Sequence, residues 1–277
     1  MTFWQSTPGP LLYAHRGASS ECPENTLPSF QRAIELGADV LELDVHPTRD
    51  GVFVVSHDAT GERVAGVRRS LAATSWSEVS SWDAGAGFID RAGARPFVGQ
   101  GIRLARFDEV LSTFPEMPLN VDVKAAGAGA LERLIALVRE ARAEERVLLT
   151  SFSYRVLTNL RRLSYRGALG LSQLDVVRLV FSPGPLIRFF PLAGIRAQIP
   201  TRSGALDLTS QRFLAKCRAL QLCVDYWVVN DPEQAALLLA RGADGIVTDD
   251  PRTIARVFAA APSAAAWRAR HPPDPSS

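Results

Sequence analysis

Lysine is almost missing from this chain of 277 residues: of its 31 basic side chains only Lys124 and Lys216 are lysines, and arginine supplies the rest. Acidic residues number 29, so the net charge is +2 and the pI of about 8.6 reflects a small surplus. With both signs interspersed, no basic field is left to release counterions from a phosphate backbone, which excludes nucleic acid as the expected partner. Cysteine is scarce as well. Cys22, Cys217 and Cys223 include no CxxC pair and make no disulfide framework. No apolar run reaches the 18 residues of a bilayer span, and the opening MTFWQSTPGP has neither the basic nor the apolar region of a secretion signal. The expected location is therefore the reducing cytoplasm. Two motifs are absent too. Without GxSxG there is no nucleophile-elbow serine, and without GxGxxG after the first apolar run a doubly wound dinucleotide-binding sheet is disfavoured.

What is present is a rhythm. At 47% hydrophobic the chain can close one large core, and α/β barrels run to about 250 residues as a single unit. Strands are expected at Leu11–Ala14, Val40–Val45, Leu119–Val123, Val147–Ser151, Ala168–Leu171, Ala197–Ile199, Cys223–Val229 and Gly245–Thr248. Gly51–Ser56 reads as a hairpin partner outside the barrel, because Thr48-Arg49-Asp50-Gly51 is turn chemistry. Helical periodicity appears at Leu27–Leu36, Arg106–Leu111, Ala130–Ala141, Tyr154–Leu163, Ser210–Leu220 and Pro232–Leu239. The fold class is α/β, a TIM (β/α)8 barrel with a small insertion after the second strand. The barrel domain is expected over 1–258, the insertion over about 59–101, and a disordered Ala/Pro/Ser-rich tail over 259–277.

Chemistry concentrates where strands end. His15 closes the first apolar run, and His57 closes the hairpin strand beside Asp58. Two histidines on neighbouring strand ends can serve as a general acid and base; the alternative for each is a loop histidine bonded to a backbone carbonyl. Glu42 and Asp44 share one face of the second strand, and His46 would join them if the strand ran on. Asp122 repeats the pattern on the next barrel strand, with Lys124 on the same face at its end. Buried acids are costly unless a positive charge meets them. Either a cation does so, or Arg and Lys form a structural network. Oxygen donors without cysteine point to Mg²⁺ or Ca²⁺ rather than zinc. Arg16 and Lys124 add a planar fork and a point charge suited to phosphate.

These residues carry a resemblance. The chain has His-Arg-Gly at 15–17, Pro-Glu-Asn-Thr at 23–26, Gly-Ala-Asp at 37–39, Glu-Leu-Asp-Val at 42–45, Thr-Arg-Asp-Gly at 48–51 and His-Asp at 57–58. Asn-Val-Asp-Val-Lys follows at 120–124, Ser-Phe at 151–152, Trp-Val-Val-Asn at 227–230 and Gly-Ala-Asp-Gly-Ile-Val-Thr-Asp-Asp-Pro at 242–251. In this order and spacing, over about residues 11 to 255, the sequence resembles the glycerophosphodiester phosphodiesterase family. The resemblance implies a TIM barrel that hydrolyses glycerophosphodiesters to an alcohol and sn-glycerol 3-phosphate. It implies His15 and His57 as the catalytic pair, and Glu42, Asp44 and Asp122 as ligands of a divalent cation, Mg²⁺ or Ca²⁺. Arg16 and Lys124 would contact phosphate, Trp227 would line the pocket, and Asn25, after Glu24, would organise the first loop.

Three positions depart from that pattern. Asp122 stands where many members carry Glu, Thr60–Leu71 lacks the Arg-Thr-Thr run, and Val228 replaces the usual Thr. On strand alternation Val228 should point away from the face of Trp227. The segment Val176–Ile195 reads either as an outer helix with a packed loop or as an apolar lip for an acyl chain. The lip would make the enzyme lysophospholipase D-like, touching lipid surfaces reversibly. A barrel that binds phosphoesters without turnover is the remaining alternative, because fold alone proves no activity; the full set of candidate residues argues for an enzyme.

Overall fold

The alternation of apolar runs and amphipathic segments is realised as eight strand–helix units. The computed structural model describes residues 2–6, 9–124, 127–182, 192, 194–204 and 206–260. Strand β1 (Leu11–His15) leads to helix α1 (Leu27–Glu35), β2 (Val40–Pro47) to α2 (Phe107–Thr113), and β3 (Leu119–Val123) to α3 (Ala128–Glu140). Then β4 (Val147–Thr150) leads to α4 (Tyr154–Arg162), and β5 (Ala168–Leu169) to α5 (Gln173–Phe181). The last three units pair β6 (Arg196–Ile199) with α6 (Gln211–Ala219), β7 (Cys223–Tyr226) with α7 (Pro232–Arg241), and β8 (Gly245–Thr248) with α8 (Pro251–Ala260). Parallel pairing runs in the order β5-β4-β3-β2-β1-β8-β7-β6. A parallel bridge from Gly170 to Arg196 joins the two ends into a barrel.

Local chemistry sets the helix ends. Thr26 caps α1 by accepting from Ser29 N, with Pro28 in the first turn where no amide is needed. Asp231 and Pro232 open α7 in the same way, and Gly242, at φ +97°, ends it in the left-handed conformation that favours glycine. Strand side chains pointing outward, such as Leu41, Leu43, Val121 and Leu149 in the first half and Val224 and Ile246 in the second, pack beneath the helices. Each half has its own apolar cluster there.

The barrel interior is partly polar. Arg196 Nε donates to Asp225 Oδ2 at 2.8 Å, and Tyr13 donates its hydroxyl to the same oxygen at 3.1 Å. Trp4 stacks on Tyr13 with ring centroids 6.3 Å apart. It stands on a single helical turn, Phe3–Ser6, too short to show any period in the sequence. The hairpin strand Phe53–Val55 pairs antiparallel with β2. The chain then makes a lobe: a strand pair, Thr60–Gly61 with Val67–Ser70, one-turn helices at Glu62–Ala65 and Trp76–Val79, and a small core of Val64, Leu71, Val79 and Trp82 against Val54 and Leu104.

Some boundaries differ from the sequence reading. Strand β7 stops at Tyr226, three residues before the apolar run ends. Helix α8 takes in residues 259 and 260, which were expected in the tail; residues 261–277 lie outside the described residues. Among the described residues no helix is long and apolar enough to cross a membrane.

Candidate active site

Parallel register brings the acids together at the carboxyl ends of the first three strands. His15 stands opposite Glu42 across β1 and β2, and Asp44 opposite Asp122 across β2 and β3. All three carboxylates are buried. Lys124, just past β3, places Nζ 2.8 Å from Asp44 Oδ1 and 2.7 Å from Asp122 Oδ2. One ammonium therefore joins the two aspartates.

The His-Arg-Gly stretch makes the turn that follows β1. Arg16 and Asn25 both adopt positive φ, +59° and +58°, and Gly17 follows at +87°. A Cβ at Gly17 would lie 2.3 Å from Ser29 Oγ, so the close approach of this turn to α1 requires glycine. The turn aims Arg16 N at Glu42 Oε2, 3.0 Å away, and brings Arg16 Nε to 3.4 Å from Asp44 Oδ2. Arg16 Nη1 donates to Glu24 Oε1 at 3.0 Å. Buried Asn25 donates to Asp44 Oδ2 at 3.1 Å, which ties the loop to the acids.

Each histidine is gripped at Nδ1 by a carboxylate. His15 Nδ1 lies 2.6 Å from Asp249 Oδ1, and Asp249 also accepts from Asn230 Nδ2 at 2.8 Å and Ser19 Oγ at 3.2 Å. Burial disfavours the charged ring of His15, but the bond to Asp249 and the charge of Glu42, 4.0 Å from Nε2, outweigh it and raise its pKa. His57 Nδ1 lies 2.9 Å from Asp58 Oδ1, and Asp58 accepts from Arg63 Nε at 2.7 Å. His46 does stay on β2 in line with Glu42 and Asp44, but its Nε2 meets the His57 carbonyl oxygen at 3.1 Å. It is a buried ring bonded to backbone.

Do these acids suit a cation? Among the described residues no group of three His, Cys, Asp or Glu side chains is arranged to hold a metal ion. The donor chemistry nevertheless fits one. Asp122 Oδ1 is buried without a hydrogen-bond partner. Burial, then repulsion from Asp44, pushes the Glu42 carboxyl up to about 8. Such a cluster is short of positive charge, and its donors are all oxygen, as Mg²⁺ and Ca²⁺ prefer.

The eight residues singled out in the sequence, His15, Arg16, Glu42, Asp44, His57, Asp122, Lys124 and Trp227, line one cavity of about 370 Å³. Its opposite wall is apolar: Val176, Val177, Val180 and Phe181 of α5, with Leu206 and Ile199. Residues 183–191 and 193 of the expected lip lie outside the described residues. Val228 lines the cavity together with Trp227, contrary to strict alternation, because the strand has already ended at Tyr226. Phe152 packs edge-on to Trp227 at 6.0 Å. Asn230, Asp249 and Arg63 join the site through contacts between separate loops, which no local motif signals, whereas Asp58 bonds its own neighbour in the sequence, His57.

The sequence profile of the glycerophosphoryl diester phosphodiesterase family matches residues 15–253. The chain belongs to this family. It is accordingly an enzyme, a hydrolase of phosphoric diesters. A glycerophosphodiester phosphodiesterase of Caldanaerobacter subterraneus is 30% identical over 249 residues, covering 88% of this chain and 96% of its own. Human lysophospholipase D GDPD1 is 27% identical over 265 residues, covering 86% and 82%. The crystal structure of a glycerophosphodiester phosphodiesterase from Agrobacterium tumefaciens superposes with a TM-score of 0.73 at 22% identity, covering 90% of this chain and 99% of that one. That likeness is one of fold, and the family's barrel is the one built here.

Proposed function

We propose that the chain hydrolyses glycerophosphodiesters to an alcohol and sn-glycerol 3-phosphate with the help of a divalent cation. One observation carries this reading: two histidines, Arg16, Lys124 and three buried acids share the polar end of a single cavity. Glu42, Asp44 and Asp122 would hold the cation, Mg²⁺ or Ca²⁺, which would act as a Lewis acid toward the phosphoryl group. Arg16 and Lys124 stabilise charge developing on the other phosphoryl oxygens. One of His15 and His57 takes a proton from the attacking oxygen at Nε2, and the other returns one to the departing alkoxide. Their Nδ1 contacts to Asp249 and Asp58 keep each ring in place for this. Trp227 forms a wall beside the glycerol. We place the enzyme in the cytoplasm, on cysteine usage: three free cysteines and no disulfide framework.

A second reading is favoured by the apolar wall of α5: a lysophospholipid enters with its acyl chain along Val176, Val177, Val180 and Phe181. Phe152 and Phe181 are 58% and 68% exposed at this mouth, which suits reversible contact with a lipid surface. Incubation with glycerophosphocholine and, separately, lysophosphatidylcholine distinguishes the two. The first reading expects choline and sn-glycerol 3-phosphate from the soluble diester. Lysophosphatidic acid and choline from the lysophospholipid, with no turnover of the soluble diester, would move the substrate to lipids, and no product from either would reject both.

A further inference from the structure

One side chain of the insertion lobe is tied, through two carboxylates, to residues that line the catalytic cavity. Arg63, on the one-turn helix Glu62–Ala65, donates from Nη1 and Nη2 to the two carboxylate oxygens of Glu24, at 2.5 and 2.8 Å. Its Nε donates to Asp58 at 2.7 Å. Beyond these acids stand the two residues that matter: Glu24 accepts from Arg16 Nη1 at 3.0 Å, and Asp58 meets His57 Nδ1 at 2.9 Å. One planar guanidinium thus spans the carboxylate behind a phosphate-binding arginine and the carboxylate behind a histidine. A lysine offers a single point of charge and would lack the planar fork that meets both oxygens of Glu24 while a third nitrogen meets Asp58.

Arg63 does not line the catalytic cavity. It lines a second one of about 330 Å³, between the lobe and the loop after β1. Its bonds go to Glu24 and Asp58, so its effect on the reacting atoms is relayed through those acids. Its side chain is half exposed, so solvent weakens the attraction and its value lies in geometry. Its fork holds both carboxylates at fixed separations, and their opposite ends hold Arg16 and His57. We propose that Arg63 is a positioning residue through which the lobe sets His57 and Arg16 together. The proposal rests on the roles given above to those two residues.

The test compares Arg63→Ala, Arg63→Lys and, as a control in the same lobe, Arg68→Ala, whose side chain pairs with exposed Glu62 among the described residues. A misplacement of about 1 Å costs on the order of 100-fold in rate, so Arg63→Ala should lose roughly that in kcat/KM on glycerophosphocholine. The two branches should separate: Asp58→Asn lowers chiefly kcat, and Glu24→Gln chiefly raises KM. Adding Arg63→Ala to either should cost less than the product of the separate losses. Guanidinium in solution should restore part of the activity of Arg63→Ala, whereas Arg63→Lys should recover little and Arg68→Ala should match the wild type. A readout independent of turnover is the ring ¹H–¹⁵N spectrum, in which Arg63→Ala should shift the His57 signals and leave those of His15 in place. Wild-type kcat and KM in Arg63→Ala, or a loss that ignores guanidinium and adds fully with both neighbours, would overturn the proposal. A wild-type enzyme inactive on the diester would overturn the function instead, and the His57 ring signals would still decide the role of Arg63.

Discussion

His15 and His57 sit in different electrostatic settings although each bonds a carboxylate through Nδ1. His15 is the more buried, with Glu42 near its other nitrogen, while the Asp58 behind His57 shares its charge with Arg63. Neither ring is part of the apolar clusters, so removing one should cost chemistry rather than folding. His15→Ala and His57→Ala should each lower kcat by on the order of 100- to 10,000-fold with an unchanged thermal midpoint. Near-normal turnover in either would remove that residue from the mechanism. At this scale the sequence was most informative. In a chain with two lysines, one beside Asp122 stood out, and strand alternation alone put Glu42 and Asp44 on one face. The grip on His15 was illegible, because Asp249 is brought to it by how the loop after β8 meets β1, whereas Asp58 adjoins His57 in the sequence and only its tie to Arg63 was hidden.

Among the elements, α5 is the one whose character the sequence left open. Its first turn is fixed by a capping box between Ser172 and Asp175, and Leu179 faces the core. Val176, Val177, Val180 and Phe181 line the catalytic cavity, and Leu174, Val177 and Phe181 are exposed in a stripe at helical spacing. An outer helix would present polar residues there. If an acyl chain lies along this wall, Phe181→Ser should reduce kcat/KM for lysophosphatidylcholine by about 10-fold, from the transfer energy of a buried aromatic side chain. Hydrolysis of glycerophosphocholine, which has no such chain, should be unaffected. Equal loss on both substrates would show that the wall only shapes the site. The sequence left Val176–Ile195 open between an outer helix and an apolar lip, since the direction in which a helix packs is decided by the barrel.

Across the whole molecule, polar pairs inside the barrel bind its two halves. Arg196 on β6 and Asp225 on β7 are fully buried against Tyr13 of β1 and Trp4. Breaking a buried pair leaves one charge without compensation, so Asp225→Ala should destabilise the fold by about 3–5 kcal/mol in chemical denaturation. A change below about 1 kcal/mol would show that Arg196 finds water or another partner. The eight-fold rhythm was readable because outward-facing strand residues must be apolar under helices. The interior charges were not readable as a pair, since Arg196 and Asp225 lie 29 residues apart and meet only once the strands are in register. Two short elements, the Phe3–Ser6 turn and the Arg202–Ser203 and Leu206–Asp207 hairpin, carry no periodic signal at all.

Cation dependence bears most directly on the account, because it links the buried acids to hydrolysis. Protein stripped of metal would be given glycerophosphocholine with Mg²⁺ or Ca²⁺ added back separately, and sn-glycerol 3-phosphate followed with time. The account predicts negligible product from the stripped protein, restoration by one or both cations, and a higher cation requirement in Asp122→Asn. Full activity in the stripped protein, unmoved by either cation, would contradict it and leave Glu42, Asp44 and Asp122 as a network compensated by Arg16 and Lys124 alone.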